Sequence, residues 1–157
     1  MGRDAPRERS QTPTKEADFY SWAVRQAELL RAGRLLEIDP AAIAEEIDDV
    51  GEEQYDKLAS ALRILMLHLL KWDHQPDRRS RSRTASVREQ RRHVLRQLRK
   101  NPGLKSRLDE ALAEAYEDAP DEASGETGLA LNAFPTALPY EYADIMERPV
   151  AWPGDES

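Results

Sequence analysis

The sequence predicts an all-α protein, a compact bundle of about four main helices with a long central helix. Apolar residues recur at three- and four-residue steps in separate blocks, residues that start and stop helices bracket those blocks, and no alternating run is long enough to argue a sheet. At 157 residues the chain fits one domain able to bury a core. Charged residues make up 34% and the hydrophobic set 39%, but the apolar residues cluster, which favours a folded chain over disorder.

Residues 1–15 are polar and Pro-containing, with no apolar block to suggest a signal peptide or membrane segment, and read as a disordered arm. Residues 16–147 read as a single helical domain and 148–157 as a tail. Asp18 is placed to cap a first helix over about 18–32, with Phe19, Trp22, Gln26, Leu29 and Leu30 in its pattern and Gly33 as its stop. Asp39-Pro40 opens a second helix whose stripe Ile43, Ile47, Val50, Gln54, Leu58, Ala61, Leu65, His68, Trp72 persists for about eight turns. This helix is either long or bent at Gly51. Its second half, LRILMLHLLKW, is apolar on every side of the wheel, the mark of a helix surrounded by others, and is too short and too charged to span a bilayer.

HQPDRRS breaks the pattern, and a third helix is expected to begin near Ser82–Ser86 and stop before Asn101-Pro102, with Val87, Val94, Leu95 and Leu98 as a thin apolar face. Leu104, Leu108, Leu112, Ala115 and Ala119 mark a fourth helix that should weaken around Pro120 and Gly125. The remainder reads mostly as surface-docked loop, with a short helix allowed over 141–147. Trp22 with Tyr20, and Trp72, are expected to seal the core where helices meet, and Trp152 to dock the tail or face a partner.

The charge is polarised. Residues 78–107 hold twelve cationic side chains and a single acid, Glu89, within a chain of formal net charge −7. Arg88, Arg92, Arg96 and Arg99 fall within roughly 80° of one another on a helix, and Arg78, Arg79, Arg81 and Arg83 interleave with Ser in what reads as a flexible loop. Such a surface suits nucleic acid or an acidic protein. Against it stands the commoner outcome: the acids Glu45, Glu46, Asp48, Asp49, Glu52, Glu53 and Asp56 of the second helix neutralise the basic helix within the fold. Arg91 differs from its neighbours, because it shares the wheel angle of Val87, Val94 and Leu98. A cation there should be partly buried and paired, with Glu46 or Asp49 the expected partner.

Without Cys, disulfides, thiolate catalysis and Cys-based zinc sites are excluded, and a reducing cytoplasmic setting is expected. No phosphate loop, nucleophile elbow, HExxH or Glu-x-x-His pair is present, so no metal or cofactor is expected. If the chain were an enzyme, the residues for a hydrolytic or metal-assisted pocket between helices would be Glu46, Asp49, His68 and Arg91, with Gln54 beside them. A core His bonded to one neighbour is the commoner role for His68. Ser80, Ser82, Thr84 and Ser86 read as loop and cap residues rather than nucleophiles.

The ordered motifs DFYSWAVRQAELLRAGRL, IAEEIDDVG, LLKWDHQPDRRSRS, VREQRR, NPGLKSRL, EAYEDA, ETGL and AFPTALPY resemble the bacterial and cyanobacterial domain of unknown function numbered 29 over nearly all of residues 18–147. The resemblance implies an all-helical single domain and supplies no established activity. Signature residues carried over by it include Asp18, Tyr20, Trp22, Glu45, Glu46, Gly51, His68, Trp72, Gln75, Pro76, Arg78, Arg79, Ser80, Arg88, Gln90 and Arg91. Arg83 stands where the family often shows Trp, and Pro120 interrupts a stretch that is usually better helix. The function the sequence supports best is a non-enzymatic binding module using residues 78–107 on nucleic acid or an acidic partner protein. Alternatives are the interhelical enzyme pocket or a regulatory partner of a paired module. Trp22, Gly51, Trp72 and Arg91 are expected to be structural.

Overall fold

The computed structural model describes residues 13–154, so most of the expected amino-terminal arm and the last three residues of the tail lie outside the described residues. Five α-helices follow in order: α1 (Phe19–Arg31), α2 (Pro40–His74), α3 (Arg81–Lys100), α4 (Leu108–Thr127) and α5 (Tyr142–Glu147), with 3-10 turns at Pro76–Arg78, Pro102–Arg107 and Leu131–Ala133. There is no strand among the described residues. Two compact units divide the chain, the first ending at Val50 and the second beginning at Gly51, so the boundary falls inside α2.

In the first unit the local chemistry follows the residues closely. The Asp18 carboxylate accepts from the Ser21 N–H at 3.0 Å and satisfies one of the orphan donors of α1. At the other end Gly33 takes φ +69°, a conformation that costs other residues more, so that Arg34 N–H reaches the Leu29 carbonyl and Gly33 N–H the Leu30 carbonyl. Asp39 caps α2 through the Ala42 N–H, while its own N–H donates to the buried Gln26 side chain at 2.8 Å. Trp22, Gln26 and Leu29 are the buried residues of α1. Tyr20, expected to help seal the core, is 77% exposed, because it lies about 150° around the helix from the side that Trp22, Gln26 and Leu29 share.

The second unit holds the hydrophobic core. α2 contributes Tyr55, Leu58, Leu62, Leu65, Met66, Leu69, Leu70 and Trp72 among others; α3 adds Val87, Val94 and Leu98; α4 adds Ala111, Leu112, Ala115, Tyr116, Ala119 and Ala123. Phe134, Tyr140, Ile145 and Val150 close the cluster from the carboxy-terminal segment. The apolar wheel of residues 62–72 is therefore matched by neighbours on most of its sides, with Arg63, Ile64, His68 and Lys71 left half-buried. At about 25 cal/mol per Å² of apolar surface removed from water, this cluster is the main source of stability.

Several boundaries differ from those the sequence suggests. α2 runs unbroken through Gly51, whose missing Cβ faces open space, so no close approach demands a bend there. α3 begins at Arg81, because the Ser80 side chain accepts from the Arg83 N–H and sets the first turn one residue before Ser82. Arg81 and Arg83 thus belong to the helix and not to a loop. The chain after Asn101 first makes a 3-10 turn, so α4 starts at Leu108 rather than Leu104. α4 also continues past Pro120 to Thr127: the lost N–H donor is outweighed by burial of Ala119 and Ala123, both 0% exposed, on either side of it. No helix among the described residues is long and apolar enough to cross a membrane.

Candidate interaction surface

The inward cations of residues 78–107 are spent on helix ends. Arg91, half-buried on α3, donates from Nε to the Ile145 carbonyl at 2.9 Å and from Nη2 to the Arg148 carbonyl at 2.8 Å, so it caps the carboxy-terminal end of α5. Its guanidinium meets the negative end of a helix, where orphan carbonyls and the macrodipole both favour a cation. Burial, and then the nearby Arg148, lower its pKa from the ordinary value. The expectation of a Glu46 or Asp49 partner is corrected: Glu46 pairs with Lys15 in the first unit. Backbone oxygens satisfy Arg91 instead.

α2 ends in the same way. Arg79 Nε donates to the Trp72 carbonyl at 3.0 Å with its guanidinium 4.7 Å from the Trp72 ring centroid, while Arg83 donates to the Lys71 carbonyl and to Gln75 Oε1. Where the resembled family often has Trp, Arg83 therefore makes hydrogen bonds that no Trp could. Arg107 takes a third arrangement, binding Glu110 and Glu52 and lying 3.7 Å over the Tyr55 ring. The two carboxylates raise its pKa further above the usual guanidinium range. Tyr140 and Arg148 both bind Asp73, fastening the carboxy-terminal segment to α2.

The outer face of α3 has the opposite character. Arg88, Arg92, Arg96 and Arg99 are exposed and, among the described residues, have no hydrogen-bonding or ion-pair partner. Of the acids expected to neutralise them, Glu45 and Glu46 pair with Lys15, Glu52 with Arg107 and Glu53 with Lys57, while Asp48, Asp49 and Asp56 have no partner among the described residues. Leu95, which the sequence places on the apolar face, is 54% exposed. It lies about 80° from the middle of the buried Val87, Val94, Leu98 stripe and within about 40° of Arg88 and Arg99. The result is an arginine ladder with one apolar side chain along its edge, on the side toward the buried stripe. Beside it a groove of about 550 Å³ runs over Ala61 and Ile64, with Gln90, His93, Arg96 and Gln97 on one wall and Glu53, Asp56 and Lys57 on the other.

Glu46 and Asp49 belong to the first unit, and His68 and Arg91 to the second. Gln54, expected in the same pocket, accepts from Gln97. His68 has a buried Nδ1 without a hydrogen-bond partner, and its pKa is lowered chiefly by burial and then by Lys71. Among the described residues no three of His, Asp and Glu are grouped to hold a metal ion. A larger groove of about 910 Å³, lined by Tyr116, Glu117, Pro120, Phe134, Leu138 and others, brings only one carboxylate to its wall. Arg78 is exposed at the end of the Pro76–Arg78 turn, and Trp72 and Trp22 are buried.

Residues 15–150 match the model of the family described as Domain of unknown function DUF29. No curated protein and no solved structure matches the chain.

Proposed function

The chain belongs to the DUF29 family, and from that premise we propose that it is a non-enzymatic binding module whose α3 outer face holds an acidic, partly apolar protein surface. The observation that carries this reading is Leu95, exposed along the edge of a ladder of four arginines that lack partners among the described residues. A phosphate backbone gives an apolar side chain nothing to bury against. The helix of an acidic partner offers carboxylates at helical spacing with methyl groups between them, and Arg is enriched in such interfaces. No aromatic residue sits in the ladder to stack on bases.

The test is fluorescence anisotropy with two probes, a synthetic Glu/Leu helical peptide and a short DNA duplex. The peptide is expected to bind, to weaken roughly tenfold or more in the Arg92→Ala, Arg96→Ala double variant, and to weaken roughly three- to tenfold in Leu95→Ala. Duplex binding with a salt slope near −0.9 per phosphate, indifferent to Leu95→Ala, would replace the protein partner with nucleic acid.

A further inference from the structure

The first unit presents the converse of the α3 ladder. Among the described residues, eight of the ten exposed large hydrophobic side chains lie in it, including Tyr20 at 77%, Leu36 at 102%, Ile47 at 66% and Val50 at 59%. Its described residues carry nine acids and four cations. The two features coincide in the sequence Ile47-Asp48-Asp49-Val50 on α2. Ile47 and Val50 stand about 60° apart as an exposed apolar ridge, and the two aspartates project about 100° to either side of it. Asp48 and Asp49 are exposed and, among the described residues, have no partner, whereas Glu45 and Glu46 are held by Lys15.

We propose that the Ile47–Val50 ridge of one copy docks on the α3 outer face of a second copy, and that the reciprocal contact closes a dimer. This rests on reading α3 as a protein-binding face. Leu95 would lie along the ridge, and Arg88, Arg92, Arg96 and Arg99 would reach the aspartates on its two flanks. Charge complementarity selects this pairing. Packing two first units against each other would set Asp48 and Asp49 against like charge, which disfavours association. Exposed apolar clusters rimmed by charge are also the usual mark of a protein contact.

The experiment is sedimentation equilibrium of the full chain over a micromolar-to-millimolar series at low and high salt, with helix content followed by circular dichroism. At low salt the mass is expected at twice 17.9 kDa; the dissociation constant should rise tenfold or more at high salt, as screening removes the charge term. Asp48→Lys with Asp49→Lys, and separately Arg92→Glu with Arg96→Glu, should each give monomers of unchanged helix content. An equimolar mixture of the two double variants should recover a dimer, because it restores one acidic and one basic face.

A chain monomeric throughout the low-salt series would overturn the proposal. So would a dimer indifferent to Arg92→Glu and Arg96→Glu, or a mixture that stays monomeric. If the chain is monomeric yet the Glu/Leu peptide still binds α3, only the choice of partner has failed. If neither occurs, the reading of α3 has failed as well.

Discussion

The two ends of α2 carry one continuous stripe and treat it in opposite ways. Before Gly51, Ile47 and Val50 on that stripe are 66% and 59% exposed; beyond it, Leu58 and Leu65 on the same stripe are 0% exposed. The stripe itself does not change. What changes is the rest of the wheel: around Ile47 it is filled by Glu45, Asp48 and Asp49, and around Leu65 by Ile64, Met66, Leu67, Leu69 and Leu70. Periodicity therefore specifies which side of a helix turns to a neighbour. The composition of the remaining sides specifies how many neighbours there are.

The largest expected effect sets Leu62, fully buried in the second unit, against Ile47. Leu62→Ala should lower unfolding free energy by about 2–5 kcal/mol through lost transfer energy and a residual cavity. Ile47→Ala, measured by urea denaturation of the chain at high salt, should stay within about 0.5 kcal/mol. Equal losses would mean that both ends of α2 are core and that the contrast between them is false.

The next comparison is between sequence neighbours on α3. Arg91→Ala removes two charge-assisted hydrogen bonds to the end of α5 and should cost about 2–4 kcal/mol. Arg92→Ala removes a solvated cation and should cost less than about 0.5 kcal/mol while weakening binding. Matching thermal midpoints for the two variants would erase the distinction between inward and outward cations.

The smallest effect concerns pH. Burial holds the folded-state pKa of His68 below its ordinary value of 6.5, so the unfolded chain takes up the proton first. The associated stability is whole above pH 6.5 and is lost as pH falls from there through the lower folded-state value. His68→Gln should flatten this part of the stability curve below pH 6.5. Parallel urea-midpoint curves for the two proteins would assign the slope to carboxylates instead.

Much of the fold is legible because its signals are local. Asp18, Gly33 and Asp39-Pro40 announce helix ends by their own side chains or lack of one, and the wheel angle of Arg91 turns it inward. The partner of Arg91 is illegible for a physical reason. Carbonyl oxygens at a helix end belong to no residue type, so a search through the acids alone leads to Glu46 and Asp49. The same holds for Arg79 and Arg83, whose acceptors on α2 lie across a chain break in the helical pattern. Leu95 misleads in the other direction, because residue type suggests burial where the angle places it among exposed arginines. The engagement of Glu45 and Glu46 was also hidden, since Lys15 lies in the stretch that composition assigns to a disordered arm.

The Arg91 cap has a kinetic consequence. Six residues are far too few for a helix to persist alone in water, where about 12–15 are marginal, so α5 exists by virtue of its buried Ile145 and the guanidinium at its end. Loss of that cap in Arg91→Ala should therefore open α5 ahead of the rest of the second unit, so that its amide protons exchange sooner than those of α2.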